Sequence, residues 1–498
     1  MKKRIFLLQV VILGTFFYSL SAFSQQPTVK RLTLEDVIEL AKEQSPQAIQ
    51  AKHRFRASYW QYRTFKAEYL PSLTLEGTFP NYNRVYEKEF DSNTGRDIYV
   101  EKNTNNSTLE LSLSQNIGLT GGSIFMNTDI TRLDIFGPDG SAEYVTTPIS
   151  IGYRQPISGF NSLKWQKIIS PMEYEEAKKT YLSQLENVAS RAADLFFDLA
   201  LAEQNMGIAE INYENSDTLF RIAQGRYNIG TIAENELLQM ELSFLNAGTR
   251  LNQAGIDLQL AEFQLRSFLG FNENVRIELI LPNSVPALEV DVNQAIALAR
   301  ENNPELISLE RQLREAERDV AQARAQKGFN ADLFATFGLT QRADDLPGAY
   351  TDPSQQQRVQ IGFSVPIMDW GLGRGRYKMA QSSQELVRTT VQQSFNDFEQ
   401  NIFLNVMNFN LQDDQVQIAA KADTIAQKRY DVSKQRYLIG KIDVLDMNVA
   451  MEEKDVAKRG YISALRNFWD SFFAIRRLCL YDFIEDKPLE ADFEALVE

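Results

Sequence analysis

RYNIGTIAENELLQ spans Arg226–Gln239, and RYLIGKIDVLD spans Arg436–Asp446. Each reads Arg-Tyr-x-Ile-Gly and then turns acidic, 210 residues apart. An internal duplication explains such a recurrence. Two more pairs support it: LAKEQSPQ from Leu40 returns as LARENNPE from Leu298, offset by 258, and IGYRQPI from Ile151 returns as IGFSVPI from Ile361, offset by 210. The signposts keep their order, so the difference between the offsets leaves 48 extra residues in the first half, between Pro71 and Ile157.

Each half reads as helix, strand hairpin, long helix, turn, helix. Ser45-Pro46 and Asn303-Pro304 set an N-cap before a proline at the first helical position. Helical patterns run to about Tyr69 and Lys327, and alternation follows. Leu73, Leu75, Gly77 and Phe79 face away from Thr74, Glu76 and Thr78. Leu109, Leu111 and Leu113 alternate with Glu110, Ser112 and Ser114, and Val359, Ile361, Phe363 and Val365 with Gln360, Gly362 and Ser364. Period two with one apolar face means strands with one polar side, in a membrane barrel or a soluble sandwich alike.

From Tyr181, steps of four and three reach Leu185, Val188, Ala192, Leu195, Leu199, Ala202, Met206, Ala209, Tyr213, Ser216, Phe220, Ala223 and Tyr227, a coiled-coil-like seam. Adding 210 preserves the register, with polar interruptions at Asn405, Gln412 and Asp423. A helix from Pro171 to Tyr227 has 57 residues, about 85 Å at ~1.5 Å per residue. Four strands are countable with ease, and the extra residues offer another pair around Thr120-Gly121-Gly122. Neither number closes a membrane barrel, which takes about eight strands or more, so closure needs several copies of the chain.

The chain has 498 residues with net charge −14. Its start reads as an export signal: Lys2, Lys3 and Arg4, an apolar run over Ile5–Leu20, and Ala22-Phe23-Ser24 as cleavage site. Without those three cations 49 basic residues face 66 acidic ones, which argues against a nucleic-acid partner. Cys479 is the single cysteine, so no intrachain disulfide can form, and with His53 the single histidine little is left from which to build a zinc centre or a histidine-based triad. No phosphate loop or nucleophile elbow occurs; GLGRGR from Gly371 lacks the required spacing. The reading is of a non-enzyme with no cofactor and no metal site. His53 is expected to face solvent and Cys479 to be buried and inert. Trp165 and Trp370, just past strand ends, suit an aromatic belt or helix packing.

The doubled Arg-Tyr-x-x-Gly turns, the Pro-Ile strand ends and the DVLD of Asp443–Asp446 resemble the TolC-type outer-membrane efflux proteins, from about Leu32 to Tyr481. YNIGTIAENELLQMELSFLNA and QPISGFNSLKWQKIISPMEYEEA resemble versions from Bacteroidetes-type bacteria. The resemblance implies an α+β membrane protein: a homotrimer whose strands form one outer-membrane β-barrel in lipid, continued into the periplasm by a long α-helical barrel. It implies the duct of a tripartite efflux or type I secretion system, served by a periplasmic adaptor (membrane fusion) protein and an inner-membrane pump of RND or ABC type. Residues 1–24 are then signal peptide, 25–270 the first repeat, 271–290 an equatorial link, 291–480 the second repeat and 481–498 a loose acidic tail. The rival reading is a soluble periplasmic coiled-coil adaptor or scaffold without a pore, which leaves the recurring strand hairpins unexplained.

The resemblance also points to the turns. Gly230 and Gly440 fit left-handed helix C-caps, and Arg226 and Arg436 lie where cations complement the helix dipole. Asp443 and Asp446, three apart, are the carboxylates that the resemblance places at the narrowest aperture, with Glu234 and Glu236 as a neighbouring layer. Arg226, Tyr227, Gly230, Arg436, Tyr437, Gly440 and Lys441 are candidates for closed-state links or adaptor contacts. Five residues separate Gly230 from Glu236 but two separate Gly440 from Asp443, so the second turn reads as three residues shorter.

Overall fold

The computed structural model describes residues 28–92, 95–137, 140–271, 275–282, 284–439, 441–442 and 444–497. The export-signal reading of residues 1–24 lies outside them, as do Gly440 and Asp443. The chain folds as two compact units. One takes the chain up to His53, Tyr181–Asn302 and Gln400–Ala491; the other takes Arg54–Thr180, Asn303–Glu399 and the chain from Asp492.

Nine α-helices occur among the described residues: α1 Leu34–Gln44, α2 Pro46–Ala67, α3 Ser162–Asn228, α4 Glu234–Phe268, α5 Val292–Asn302, α6 Pro304–Gln326, α7 Leu372–Asn410, α8 Gln412–Leu438 and α9 Val444–Cys479. Strands β1 Thr28–Thr33 and β7 Val275–Ile280 pair in parallel. The expected caps form: the Ser45 hydroxyl accepts from the Ala48 N–H at 3.1 Å, and the Asn303 side chain from the Glu305 N–H at 2.8 Å.

A seven-stranded sheet fills most of the second unit: β2 Ser72–Thr78, β3 Tyr82–Asp91, β4 Arg96–Ile117, β5 Gly122–Ile135, β6 Ser141–Pro156, β8 Asn330–Ala343 and β9 Ser354–Ser364. The order is β2-β4-β5-β6-β8-β9, every pairing antiparallel. β3 pairs with β4 over Arg96–Asn105, while β2 takes Thr108–Ser114 of the same strand. The two therefore succeed one another along one edge. The sheet is six strands wide and open within one chain, with β2–β3 and β9 as its edges.

The extra residues of the first half build β3, β4 and β5 here, and the β4–β5 connection is the turn at Thr120-Gly121. Gly121 has φ +75°, and a Cβ there would meet Asn161 at 2.9 Å. Asn161 explains the tightness. Its amide donates to the carbonyls of Gly118 and Leu119, each at 3.2 Å, and its oxygen accepts from the Lys164 N–H at 3.0 Å, so one side chain caps α3 and fastens the turn. Register carries one apolar rung across the sheet: Leu73 opposite Leu113, then Met126, Ile151 and Phe337. The neighbouring rung is polar, with Thr74, Ser112, Asn127 and Ser150. Leu73 stays 67% exposed and Phe337 54%, so the described residues leave the apolar face uncovered.

Two elements differ from the sequence reading. α3 starts at Ser162, where the Asn161 cap sets its start, and runs through Pro171, its tenth residue, which gives up one helical N–H bond at a local cost that the long helix absorbs without ending. The C-terminal segment is not loose: β10 Tyr481–Asp482 pairs with β11 Lys487–Pro488. Beyond it Phe493 packs on Phe55 with ring centroids 5.2 Å apart, and Arg56 donates to the Leu496 carbonyl at 2.6 Å. The apolar residues scattered among the acids supply the contacts that net charge concealed.

In the first unit the seam of α3 forms the core: Val188, Ala192, Leu195, Leu199, Ala202, Ala209 and Ala223 are buried. Tyr213 and Phe220 of α3 stack on Phe244 of α4 at 5.2 and 5.8 Å. Arg466 of α9 reaches Asp194 and Asp198 of α3 at 3.0 and 2.6 Å. Lys458 of α9 meets Asp423 of α8 at 3.3 Å. α3 and α9 therefore lie between α4 and α8. Cys479, buried at the end of α9, has its thiol pushed up to about 12 by burial. His53 is exposed, as expected.

Candidate functional site

The two acidic turns join α3 to α4 and α8 to α9. At the first, Gly230 adopts φ +73°, its N–H bonds the Tyr227 carbonyl at 2.9 Å, and the Thr231 N–H bonds the Arg226 carbonyl at 2.9 Å. This is a Schellman ending, which needs a residue at positive φ and so favours glycine. At the second turn the Lys441 N–H bonds the Arg436 carbonyl at 2.9 Å, the same outer bond.

The shorter second turn does not hold. α4 begins four residues after Gly230 and α9 four after Gly440. Glu236 and Asp446 are thus counterparts, each third in its helix. Asp443 lies outside the described residues and occupies, in sequence, the place of Ala233, which precedes α4 without a side-chain cap. Glu234, Glu236 and Asp446 sit in first turns, and Arg226 and Arg436 in last turns, where each sign opposes the helix dipole. All five side chains are exposed, as are Lys441 and Tyr227. Arg226, Arg436, Glu234, Glu236 and Lys441 carry no side-chain ion pair among the described residues, whereas Asp446 is engaged. Each tip is therefore a small exposed patch with cations on the outgoing helix and carboxylates on the returning one.

A second acidic group escaped the sequence reading. Register sets Glu76 of β2 opposite Glu110 of β4, and Glu110 opposite Asp129 of β5, all on the polar face. Directly opposed like charges are unfavourable in a sheet, so this row costs stability. No spacing along the chain announces it, because it exists only once three strands are in register. Among the described residues no cluster of three or more His, Cys, Asp or Glu could hold a metal ion, and no helix is long and apolar enough to cross a membrane.

Comparison with known proteins follows from this geometry. The sequence profile of the family described as "Outer membrane efflux protein" matches residues 37–271 and 295–478, most of the chain. The chain belongs to that family. The outer membrane efflux proteins are transport channels, and several solved structures that resemble this chain are named as channels. The Campylobacter jejuni CmeC outer membrane channel superposes with TM-score 0.65 at 16% identity, covering 93% of this chain and 88% of that one. The outer membrane protein VceC of Vibrio cholerae gives 0.60 at 15%, covering 90% and 95%. The open-state MtrE channel of Neisseria gonorrhoeae gives 0.57 at 14%, covering 90% and 88%. No match is found among the curated proteins. At these identities the likeness establishes a TolC-like fold.

Proposed function

We propose that this efflux-family chain is the outer-membrane duct of a tripartite efflux or type I secretion system, working as a homotrimer with a periplasmic adaptor and an inner-membrane RND or ABC pump. The observation that carries it is the open sheet, apolar on one uncovered face and unpaired at both edges. In lipid every backbone polar group needs a partner, so an open sheet must close. β9 of one copy joining β2 of the next is a head-to-tail contact, and such contacts close into rings. Three copies of a six-strand-wide sheet make an eighteen-stranded barrel, inside the known range. The helices fit the same closure. Leu411, Ile418, Ile425, Val432 and Ile439 recur every seventh residue on one flank and are all more than half exposed. α4 shows Leu238, Leu242, Leu245, Ile256, Leu260 and Phe263. Edge helices with uncovered apolar stripes are what neighbouring copies cover. The two repeats of the chain arise on this reading by duplication, the first enlarged by β3, β4 and β5.

The tips then converge on the axis. Rings of Asp446 and Glu236, with Asp443 and Glu234 beside them, set a cation-attracting aperture; like charges ~6 Å apart at an effective dielectric near 20 repel by roughly 3 kcal/mol. Glu76, Glu110 and Asp129 line the barrel's polar interior as a second acidic belt. Single-channel recording in planar bilayers, beside native mass spectrometry, tests the reading. A trimer with a small cation-selective conductance that divalent ions block, and a D443A/D446A double variant that loses the block, is the expected result. A monomer recovered without detergent, giving no conductance, sinks it.

A further inference from the structure

Helix α1 presents Glu35, Glu39 and Glu43 along one exposed side, four residues apart. They line a groove of about 800 Å³ in the first unit together with Trp469 of α9 and Ile484 of the C-terminal segment. Phe472 and Phe473 are buried beneath it. Every cation lining the groove is already committed. Lys42 binds the buried Glu186 at 2.6 Å, Arg476 binds Glu186 at 3.0 Å and Asp482 at 2.7 Å, and Lys487 pairs with Glu485. Glu35, Glu39 and Glu43 have no cationic partner among the described residues. The indole N–H of Trp469 is buried without an acceptor, and Ile484 is half exposed.

We propose that this groove docks a cationic amphipathic segment of another polypeptide, with lysine or arginine side chains on the glutamates and apolar ones on Trp469 and Ile484. Charge selects the partner: phosphate-bearing nucleic acids and anionic lipid headgroups are repelled by the same three carboxylates. Shape excludes a bare ion. Glu35 and Glu43 are about 12 Å apart along the helix, so the acids do not converge on a point. An aromatic floor with a charged rim is the anatomy of a protein contact, in which the rim steers and the floor holds. Nothing in this groove requires the acidic tips, so it can stand or fall apart from the aperture.

The test uses the full chain in discs of neutral lipid, with empty discs as blank, and a fluorescein-labelled peptide of alternating lysine and leucine as probe. Anisotropy is expected to show saturable binding that weakens as salt rises. The E35Q/E39Q/E43Q triple variant weakens it about tenfold, as the loss of a few rim charges worth ~1.4 kcal/mol together, and I484S weakens it less. A control triple on exposed helix acids, E210Q/E214Q/E241Q, leaves it unchanged. Equal losses in both triples, or none in the first, overturn the proposal, since the peptide then follows overall charge or binds elsewhere. A photo-cross-linking residue at position 39 adds a second arm: an adduct with another copy of this chain makes the groove a subunit contact and also overturns it.

Discussion

The two helical hairpins of the first unit carry the same turn but hold themselves together differently. In the α3–α4 hairpin the contacts are rings and methyls: Tyr213 and Phe220 on Phe244, over a seam of buried alanine and leucine. The α8–α9 hairpin relies on charge: Lys458 with Asp423, Arg429 with Glu453, and Lys454 4.4 Å over the ring of Tyr430 while it also pairs with Asp455. Its leading arm is also interrupted. α3 runs 67 residues without a break, whereas Leu411 separates α7 from α8. Apolar packing ignores salt, and partly exposed ion pairs do not. Two hairpins with the same turn thus answer to different conditions.

The largest effect is expected in the apolar arm. Phe196, fully buried and edge-on to Phe197 at 5.2 Å, should cost about 3–5 kcal/mol when cut to alanine. Calorimetry reads this as a large fall in melting temperature; a fall of a degree or less would mean the α3 core is not what holds the fold. Phe244→Ala removes two ring contacts from a half-buried site and should cost ~1–2 kcal/mol. Hydrogen exchange at α4 should then quicken to match α8, and if it stays slow the rings do not set the contrast. Gln412→Leu goes the other way: in a half-buried seam position it should stabilise by about 1 kcal/mol, unless the seam is open there. Raising salt should speed exchange in α8 and the part of α9 that faces it, by ~0.2–1 kcal/mol per pair, while leaving the ring-packed α4 nearly unchanged. Uniform exchange across both hairpins contradicts the comparison outright. The smallest effect is none at all. Burial holds the Cys479 thiol protonated, near 12, so a thiol reagent at pH 8 should label it only after unfolding, and prompt labelling would show the root of α9 to be open.

The sequence was most legible where one periodicity met one burial pattern. The α3 seam, the Ser45 and Asn303 caps and the alternating strands all read correctly, because local spacing alone decides which side faces in. β3 was missed for a physical reason: Tyr82, Tyr86 and Phe90 are all more than half exposed, so the strand has no apolar-in, polar-out signature. β1 has six residues and pairs in parallel with β7, 247 residues away at the Arg31–Glu278 contact, which no local pattern encodes. At the turns, glycine and arginine were legible through capping chemistry. The helix start after the second turn was not, because counting to the first acidic residue picked Asp443 where backbone geometry picks Asp446 as the counterpart of Glu236.

β3 and the first eight residues of β4, Arg96 to Asn103, extend beyond the point where β5 begins to pair. Arg84 with Glu101 and Lys88 with Asp97, both at 2.6 Å, lace this ribbon across its width. It stands at the end of the sheet remote from Asn161 and α3, so in the proposed assembly it is the part that reaches the world outside the cell. A binder approaching that assembly from outside would meet this surface before the rungs below. Its aromatic face should therefore diversify quickly between strains of one species, while the register beneath it, on which closure depends, stays fixed.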